Sequence, residues 1–185
     1  MNNKGFTLLE LAIVLVIIGI LMGAVLRGQE LIKSAKEKKF FSQLQMLGSA
    51  QLTYLQREGR YAGDTDEDGF IDNDNNAWDE LEYQHLILKK DKAKQSVFAG
   101  VTFNFSNGYC KYFGGSDDST TLHGNYIQAG ANLPQWVAQT IDNRIDDGYG
   151  NSGYIRWSSG GDPCGQDYDK NNSNKVGNLY WFFDL

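Results

Sequence analysis

Apolar residues fill the first part of the chain, and a helical pattern then continues to about Glu58. From Phe6 to Leu26 the sequence has 21 residues and one charged side chain, Glu10. At 1.5 Å per residue, a helix of this length covers about 30 Å, which is the thickness of the hydrocarbon core of a bilayer. The pattern therefore predicts a helix that can span a membrane.

The second half of this predicted helix carries one apolar stripe. Its members recur at three- and four-residue steps and are Phe40, Phe41, Leu44, Leu47, Ala50, Tyr54 and Leu55. Such a stripe is typical of a helix that packs on a sheet, and Gly59 is suited to end the helix as a C-cap. A helix from Phe6 to Glu58 would be about 80 Å long. Its first half must therefore lie in a membrane or in the core of a filament.

The remaining residues predict a compact α+β head. A short helix is expected from Ala77 to Leu88, and another from a cap at Asn132 to about Ile145, with Pro134 in its first turn. The stretch VFAGVTFNF alternates in polarity, and the aromatic-rich segments YCKYF, HGNYIQA, GYIRWSS and NLYWFFDL are separated by Gly, Asn and Asp. We therefore predict an antiparallel sheet. The chain is thus predicted to have four parts. They are a short segment before the apolar run at residues 1–5, the membrane-spanning part of the helix at 6–26, the second part of the helix at 27–58 and the head at 59–185.

Charge is unevenly distributed over these parts. The whole chain has 17 Lys and Arg against 23 Asp and Glu, which gives a formal net charge of -6. Residues 1–60 hold eight basic and four acidic residues, whereas residues 61–185 hold nine basic and nineteen acidic residues. An acidic head repels phosphate groups and attracts cations. This distribution argues against broad nucleic-acid binding.

The residues at the start of the apolar run form a specific motif. Gly5 is followed by FTLLE, which begins at Phe6 and ends at Glu10. This motif, together with the apolar span behind it, resembles the processing site of type IV prepilins and of the pseudopilins of type II secretion. The resemblance implies that a membrane peptidase cuts between Gly5 and Phe6 on the cytoplasmic side and N-methylates Phe6.

The resemblance also implies a fold, a function and a location. The expected fold is type IV pilin-like, with a long N-terminal helix packed on a C-terminal antiparallel sheet. The expected function is that of a structural subunit of a type IV pilus or a type II secretion pseudopilus-like filament. A minor pilin or pilin-like component is favoured, because many major pilins have a proline where this helix has Arg27 and Gly28. The N-terminus is expected in the bacterial cytoplasm and the head in the periplasm, with a periplasmic or extracellular filament after assembly.

The partners that the resemblance implies are of three kinds. They are prepilin peptidase, the inner-membrane assembly machinery, and other pilin-like subunits in a homo- or hetero-polymer. Membrane lipid would surround the apolar segment before assembly. The alternative is a membrane-tethered calcium-binding adhesin or ligand-binding module that does not polymerise and needs no cleavage. We expect no enzyme, because no nucleophile and base pair, phosphate loop or catalytic metal motif stands out.

Glu10 requires a partner if it lies in hydrocarbon. A carboxylate there costs at least about 2.5–3.5 kcal/mol on insertion scales. Cleavage after Gly5 would create a positively charged amine on Phe6, and in a packed filament that amine can neutralise Glu10 of the neighbouring subunit. We therefore predict that Glu10 directs assembly. The alternative is a plain signal anchor whose acid reaches back to the membrane surface.

The acidic sequence DTDEDGFIDND at residues 64–74 matches the first nine positions of an EF-hand calcium loop. Gly69 stands where the loop turns sharply. Position twelve is Asn75 instead of a bidentate glutamate, so the missing oxygen would come from Asp74, Asp79 or Glu80. The candidate ligands for Ca²⁺ are Asp64, Asp66, Asp68, Phe70 through its carbonyl, Asp72 and Asp74. A solvated acidic turn is the alternative.

Two further features of the head have open interpretations. Asp142, Asp146 and Asp147 lie near a helix end, where either a second metal or an ordinary glycine-capped terminus would account for them. Cys110 and Cys164 are an even number of cysteines in a chain whose start indicates export. They predict one disulfide, with two buried thiols as the alternative.

Overall fold

The computed structural model describes residues 7–111 and 121–183. Within these residues the helices are α1 (Leu8–Glu58), α2 (Asp74–Tyr83) and α3 (Gln135–Ile145), with a short 3-10 helix at Asp91–Ala93. The strands are β1 (Phe103–Lys111), β2 (Thr121–Pro134), β3 (Ile155–Ser158) and β4 (Val176–Phe182). The chain divides into two compact units between Lys38 and Lys39, inside α1.

The first unit contains the apolar part of α1. Its large apolar side chains from Leu8 to Ile32 are exposed, with exposed fractions from 44% at Ile18 to 88% at Leu8. The helix is long enough and apolar enough to cross a membrane. An apolar surface of this extent is unfavourable in water. This segment therefore requires cover from lipid or from other protein.

From Phe40 onward, α1 belongs to the core of the head. The predicted stripe is buried at Phe40, Leu44, Leu47, Ala50 and Tyr54. The Phe40 ring stacks on Phe103 of β1 with their centroids 5.5 Å apart. At Gly48 a Cβ atom would lie 2.9 Å from the indole ring of Trp181 on β4, so only glycine allows this approach. The helix packs on the sheet, as predicted, and it ends where Gly59 adopts a φ of +78°.

The four strands form one antiparallel sheet in the order β1-β2-β4-β3. Alternate residues point to opposite faces. One face joins the three helices in the main core, through residues such as Phe105, Ile127, Leu179 and Trp157. The other face holds a small second cluster, which consists of Cys110, Tyr126, Tyr180 and Phe182. The predicted α+β class with an antiparallel sheet is confirmed.

Two predicted element boundaries in the first half of the head are wrong. The helix expected to begin at Ala77 begins at Asp74, because the side chain of Asn73 accepts a hydrogen bond from the N–H of Asn76 and caps the helix there. The strand expected to begin at residue 97 begins at Phe103. The residues before it form a turn in which Gly100 has a φ of +76°.

The predicted helix cap at Asn132 is also wrong. Asn132 belongs to β2, and its side-chain amide donates a hydrogen bond to the carbonyl of Gly100 at 3.3 Å. Helix α3 starts only after Pro134, and its cap position has no side-chain hydrogen bond. The pairing of Leu133 and Pro134 with β4 has thus extended the strand over the expected cap.

Candidate functional site

Glu10 lies in the first turn of α1 and is bonded to Thr7. The N–H and Oγ1 of Thr7 donate to Oε2 of Glu10 at 2.8 and 2.9 Å, and the N–H of Glu10 donates back to Thr7 Oγ1 at 3.3 Å. This arrangement is a capping box, which fixes the start of a helix. Its signal in the sequence is the spacing Thr-x-x-Glu, which the prediction from the apolar run did not include.

The two residues of the predicted cleavage site, Gly5 and Phe6, lie outside the described residues. Thr7 follows Phe6 directly in the sequence. The capping box therefore lies next to the amine that cleavage after Gly5 would create.

The acidic loop, residues 63–73, connects the end of α1 to α2. Carboxylate oxygens of Asp64, Asp66 and Asp68 lie within 4.8 Å of one another. Asp64 is buried, with 1% of its surface exposed, whereas Asp66 and Asp68 are exposed. Three predicted ligands are thus brought together, and one face of the group opens to solvent.

The two oxygens of the Asp64 carboxylate have different surroundings. Oδ2 accepts a hydrogen bond from the N–H of Gly69 at 3.0 Å. Oδ1 is buried and has no hydrogen-bond partner among the described residues. A buried carboxylate oxygen without a partner is unfavourable. This atom therefore marks a position where the loop supplies no hydrogen-bond donor.

The loop is attached to the sheet by two asparagines. The side-chain amide of Asn125 on β2 donates to the carbonyl of Gly69 at 2.9 Å, and its oxygen accepts from the N–H of Ile71 at 2.7 Å. The amide of Asn107 on β1 donates to the carbonyl of Ile71 at 2.9 Å. Within the loop, Glu67 and Gly69 have φ values of 62° and 92°. Glycine suits such a backbone, as the prediction for Gly69 assumed.

Asp72 faces the start of the loop. Its Oδ1 accepts from the N–H of Thr65 at 3.2 Å, and its Oδ2 accepts from Thr65 Oγ1 at 2.7 Å. These hydrogen bonds, above all the one from the hydroxyl, lower the pKa of Asp72. Both oxygens of this predicted ligand are therefore bonded within the loop.

Asp74 is the first residue of α2 and joins the loop to the head. Its Oδ1 accepts hydrogen bonds from Trp78 Nε1 at 2.9 Å and from the N–H of Phe105 at 2.7 Å. Its Oδ2 forms an ion pair with Lys94, whose ammonium group also donates to Asn75 Oδ1 at 3.1 Å. The structure thus uses Asp74 and Asn75 to bind Lys94.

Glu80, another candidate for the missing ligand, is bonded to the end of α1. Its Oε1 lies 2.7 Å from Nη2 of Arg60. Its Oε2 accepts from Arg60 Nη1 at 3.1 Å and from the N–H of Gly63 at 2.9 Å. This bidentate pair holds the loop entrance against α2.

A second carboxylate cluster lies at the C-terminal end of α3. Oxygens of Asp142, Asp146 and Asp147 lie within 4.8 Å of one another. Asp142 is completely buried, and it accepts hydrogen bonds from the Tyr168 hydroxyl at 2.8 Å and the N–H of Gly148 at 2.9 Å. Burial raises the pKa of Asp142 to about 6, although these two hydrogen bonds lower it and the neighbouring carboxylates raise it further.

The other two acids of this cluster are also bonded to protein donors. Asp146 Oδ2 accepts from the N–H groups of Tyr154 and Ile155, the latter at 2.7 Å. Asp147 accepts from the N–H of Tyr149 at 2.9 Å and from the Ser152 hydroxyl at 2.6 Å. The cluster therefore organises the turn that follows α3.

Cys110 and Cys164 meet on the sheet face opposite the helices. Cys110 is buried and Cys164 is half-buried. Their side chains are hydrogen-bonded, and burial together with that bond raises the pKa of the Cys110 thiol to about 12. The structure brings the predicted disulfide partners together. The disulfide bond itself stays a prediction.

Residues 1–26 match the family model of the prokaryotic N-terminal methylation motif. The match includes the predicted cleavage site and Glu10, and it ends within the apolar part of α1. Comparison with curated proteins and with solved structures gave no match. The motif is the signature of type IV pilins and pseudopilins, and it supports a type IV pilin-like protein that is processed by prepilin peptidase.

Proposed function

We propose that this protein is a structural subunit of a type IV pilus or pseudopilus-like filament, assembled through the apolar part of α1. The observation that carries the proposal is the exposure of large apolar side chains from Leu8 to Ile32, in a chain that begins with the methylation motif. Lipid can cover this surface before assembly, and the same segments of other subunits can cover it afterwards.

Glu10 supplies the specificity of this assembly. Both hydrogen bonds from Thr7 go to Oε2, so the capping box orients the carboxylate and leaves Oε1 for a second partner. Cleavage by prepilin peptidase would create a positive amine on Phe6. In the apolar core of a filament, that amine of one subunit pairs with Glu10 of the next and sets the axial position of each added subunit.

The head fits a minor or pilin-like component of the filament. Residues 61–185 carry nine basic and nineteen acidic residues, which keeps the outer surface of such a filament soluble. In the oxidising compartment outside the inner membrane, Cys110 and Cys164 form a disulfide. Intact mass spectrometry of the exported chain should then show the loss of one pair of hydrogen atoms, which a reductant restores.

The test of the assembly role uses variants of Glu10 in the native cell. Glu10→Val and Glu10→Gln should insert in the membrane and be cleaved normally. Both should enter sheared filaments at least about tenfold less than the wild type, because the amine then lacks its charged partner in a medium of low dielectric constant. Incorporation at the wild-type level would contradict the proposal.

A matched control separates charge pairing from helix capping. Thr7→Val removes the hydroxyl of the capping box and keeps the charge of Glu10. The loss of a cap costs about 1 kcal/mol of helix stability, so this variant should still enter filaments. A chain that keeps its first five residues and never leaves the membrane fraction, in the wild type as well, would favour the tethered calcium-binding module instead.

A further inference from the structure

We propose that the acidic loop binds one calcium ion through Asp64, Asp66, Asp68 and the carbonyl of Phe70. The site lies wholly in the head and uses none of the residues assigned to assembly. The proposal can therefore fail or succeed independently of the filament function.

The strongest support comes from the buried oxygen of Asp64. Its Oδ1 has no hydrogen-bond partner among the described residues, although only 1% of the residue is exposed. This carboxylate belongs to a group whose ligand atoms all lie within 4.8 Å of one another. A cation bound by this carboxylate would supply the missing partner of Oδ1.

Electrostatics favours a divalent ion at this position. Three carboxylates at this spacing repel one another, and the repulsion is strongest where one of them is shielded from water, as Asp64 is. Asp66 and Asp68 are exposed and leave a path from solvent. A bound dication neutralises most of the local charge without rearrangement of the core.

The chemistry of the ligands favours calcium among the divalent ions. All the candidate ligand atoms are hard oxygens, which suit calcium and magnesium rather than zinc. The alternate spacing of the three acids, with a glycine of positive φ after the third, follows the EF-hand loop. Magnesium requires a tighter octahedron and gives up its waters less readily.

The remaining coordination positions are open to water. Four oxygens come from the proposed ligands, whereas calcium takes about six to eight. Asp72 is bonded to Thr65, Asp74 to Lys94, and Glu80 to Arg60, so the ligands expected to complete an EF-hand loop are engaged elsewhere. We therefore expect weak binding, on the order of 10⁻⁴–10⁻³ M, as in other extracellular modules.

Calcium at this position would stabilise the contact between the loop and the sheet. Asn125 and Asn107 hold the carbonyls of Gly69 and Ile71, on either side of the proposed ligand Phe70. A cation bound to the Phe70 carbonyl would fix the loop backbone between these two anchors. The thermal unfolding midpoint of the head should therefore rise when calcium binds.

The test is a calcium titration of the full chain in detergent, by calorimetry and by thermal unfolding. The wild type should bind one ion and unfold at a higher temperature than in chelator, with a smaller shift in magnesium. Asp66→Asn and Asp68→Asn should each weaken binding at least about tenfold, because each removes a charged ligand. Both residues are exposed, so neither variant is expected to disturb the fold.

Two other variants make the ligand assignment falsifiable. Asp72→Asn is the matched control and should keep calcium affinity within about threefold, since Asp72 is bonded to Thr65. Asp64→Asn should lose the response to calcium and, in chelator, unfold at or above the wild-type temperature, because a buried carboxylate with one oxygen not hydrogen-bonded is removed. The proposal fails if calcium leaves the wild type unchanged, if Asp66→Asn and Asp68→Asn bind normally, or if Asp72→Asn binds as weakly as they do.

Discussion

The head contains two clusters of three carboxylates, and the buried acid of each cluster is hydrogen-bonded differently. In both clusters the oxygens lie within 4.8 Å of one another. At the end of α3, the buried acid Asp142 receives hydrogen bonds on both oxygens, from Gly148 and Tyr168. In the acidic loop, the buried acid Asp64 receives one on Oδ2, and its Oδ1 has no partner among the described residues.

This difference shows that proximity of acids does not by itself identify a metal site. The α3 cluster is completed by protein donors, and burial raises the pKa of Asp142 to about 6, so a proton can relieve its remaining repulsion. The loop cluster has two exposed acids and a buried oxygen that has no hydrogen-bond partner among the described residues. The bonding therefore gives the first cluster a structural role, whereas cation binding at the second is the proposal made above.

The largest expected effect is the loss of the buried acid of the α3 cluster. Asp142→Ala leaves the Tyr168 hydroxyl and the N–H of Gly148 without their acceptor in the core, and it should lower the free energy of unfolding by about 3 kcal/mol. In chelator, Asp66→Ala should lower it by less than about 0.5 kcal/mol, because that side chain is exposed. Urea unfolding of both variants measures the difference, and equal losses would remove the distinction between the clusters.

A somewhat smaller effect is expected at a glycine beside each cluster. At Gly153, φ is +67° and an alanine Cβ would overlap the carboxylate of Asp146, which two N–H groups hold in place. Gly153→Ala should therefore destabilise the head by about 2–3 kcal/mol, through strain and steric overlap.

The matched variant is Gly69→Ala in the acidic loop. Gly69 has a φ of +92°, and nothing lies within 4 Å of the position that an alanine Cβ would occupy. Only backbone strain should appear, at about 1 kcal/mol. Thermal unfolding in chelator measures which of the two variants, Gly153→Ala or Gly69→Ala, loses more stability. A larger loss at Gly69 would show that the loop is the more tightly packed of the two regions.

The dependence of stability on pH should come from the α3 cluster. The pKa of Asp142 is about 6 in the folded chain against 3.8 for an ordinary aspartate. The folded state therefore keeps a proton that the unfolded state loses, and the stability this proton contributes is present below about pH 4 and is lost as the pH rises through 6.

The variant Asp142→Asn isolates this contribution. Relative to Asp142→Asn, the wild type should lose up to about 2 kcal/mol of unfolding free energy between pH 4 and pH 7. In chelator, the unfolding free energy of Asp66→Asn should depend on pH in the same way as that of the wild type. Urea unfolding across this range is the measurement, and parallel curves for the wild type and Asp142→Asn would contradict the raised pKa.

The smallest effect is expected for the exposed acid of the α3 cluster. Asp147 is exposed, and its carboxylate raises the pKa of Asp142 as a minor cause after burial. Asp147→Asn should move the midpoint of the pH dependence slightly lower and change stability at neutral pH by less than about 0.5 kcal/mol. A larger change would mean that the hydrogen bonds from Tyr149 and Ser152 to Asp147 contribute more to stability than its exposure suggests.

Features encoded by local spacing were predictable from the sequence. The buried positions from Phe40 to Tyr54 follow the helical period, and Gly59 ends the helix as a residue with positive φ. Asp64 and its two alternate neighbours meet because a short loop with a glycine turn brings them together. In each case the relevant atoms are a few residues apart, so the backbone geometry alone decides the outcome.

Features that depend on distant contacts were not predictable. Asn125 lies more than fifty residues from the loop that it holds, and the sequence carries no signal for that pair. Asp74 was expected at the metal, but Lys94 and Phe105 bind it once the sheet has formed. Asn132 was expected to cap a helix, and the pairing of the next two residues with β4 keeps it in a strand. The balance between such alternatives is set only by the tertiary fold.

The central claim, that this type IV pilin-like chain works as a filament subunit, is tested most directly by mass spectrometry of filaments sheared from the native cell. The chain should be found in them, starting at an N-methylated Phe6. If it is absent from filaments, or present only in the membrane fraction with its first five residues, the proposed pairing of the Phe6 amine with Glu10 does not exist and the account is contradicted.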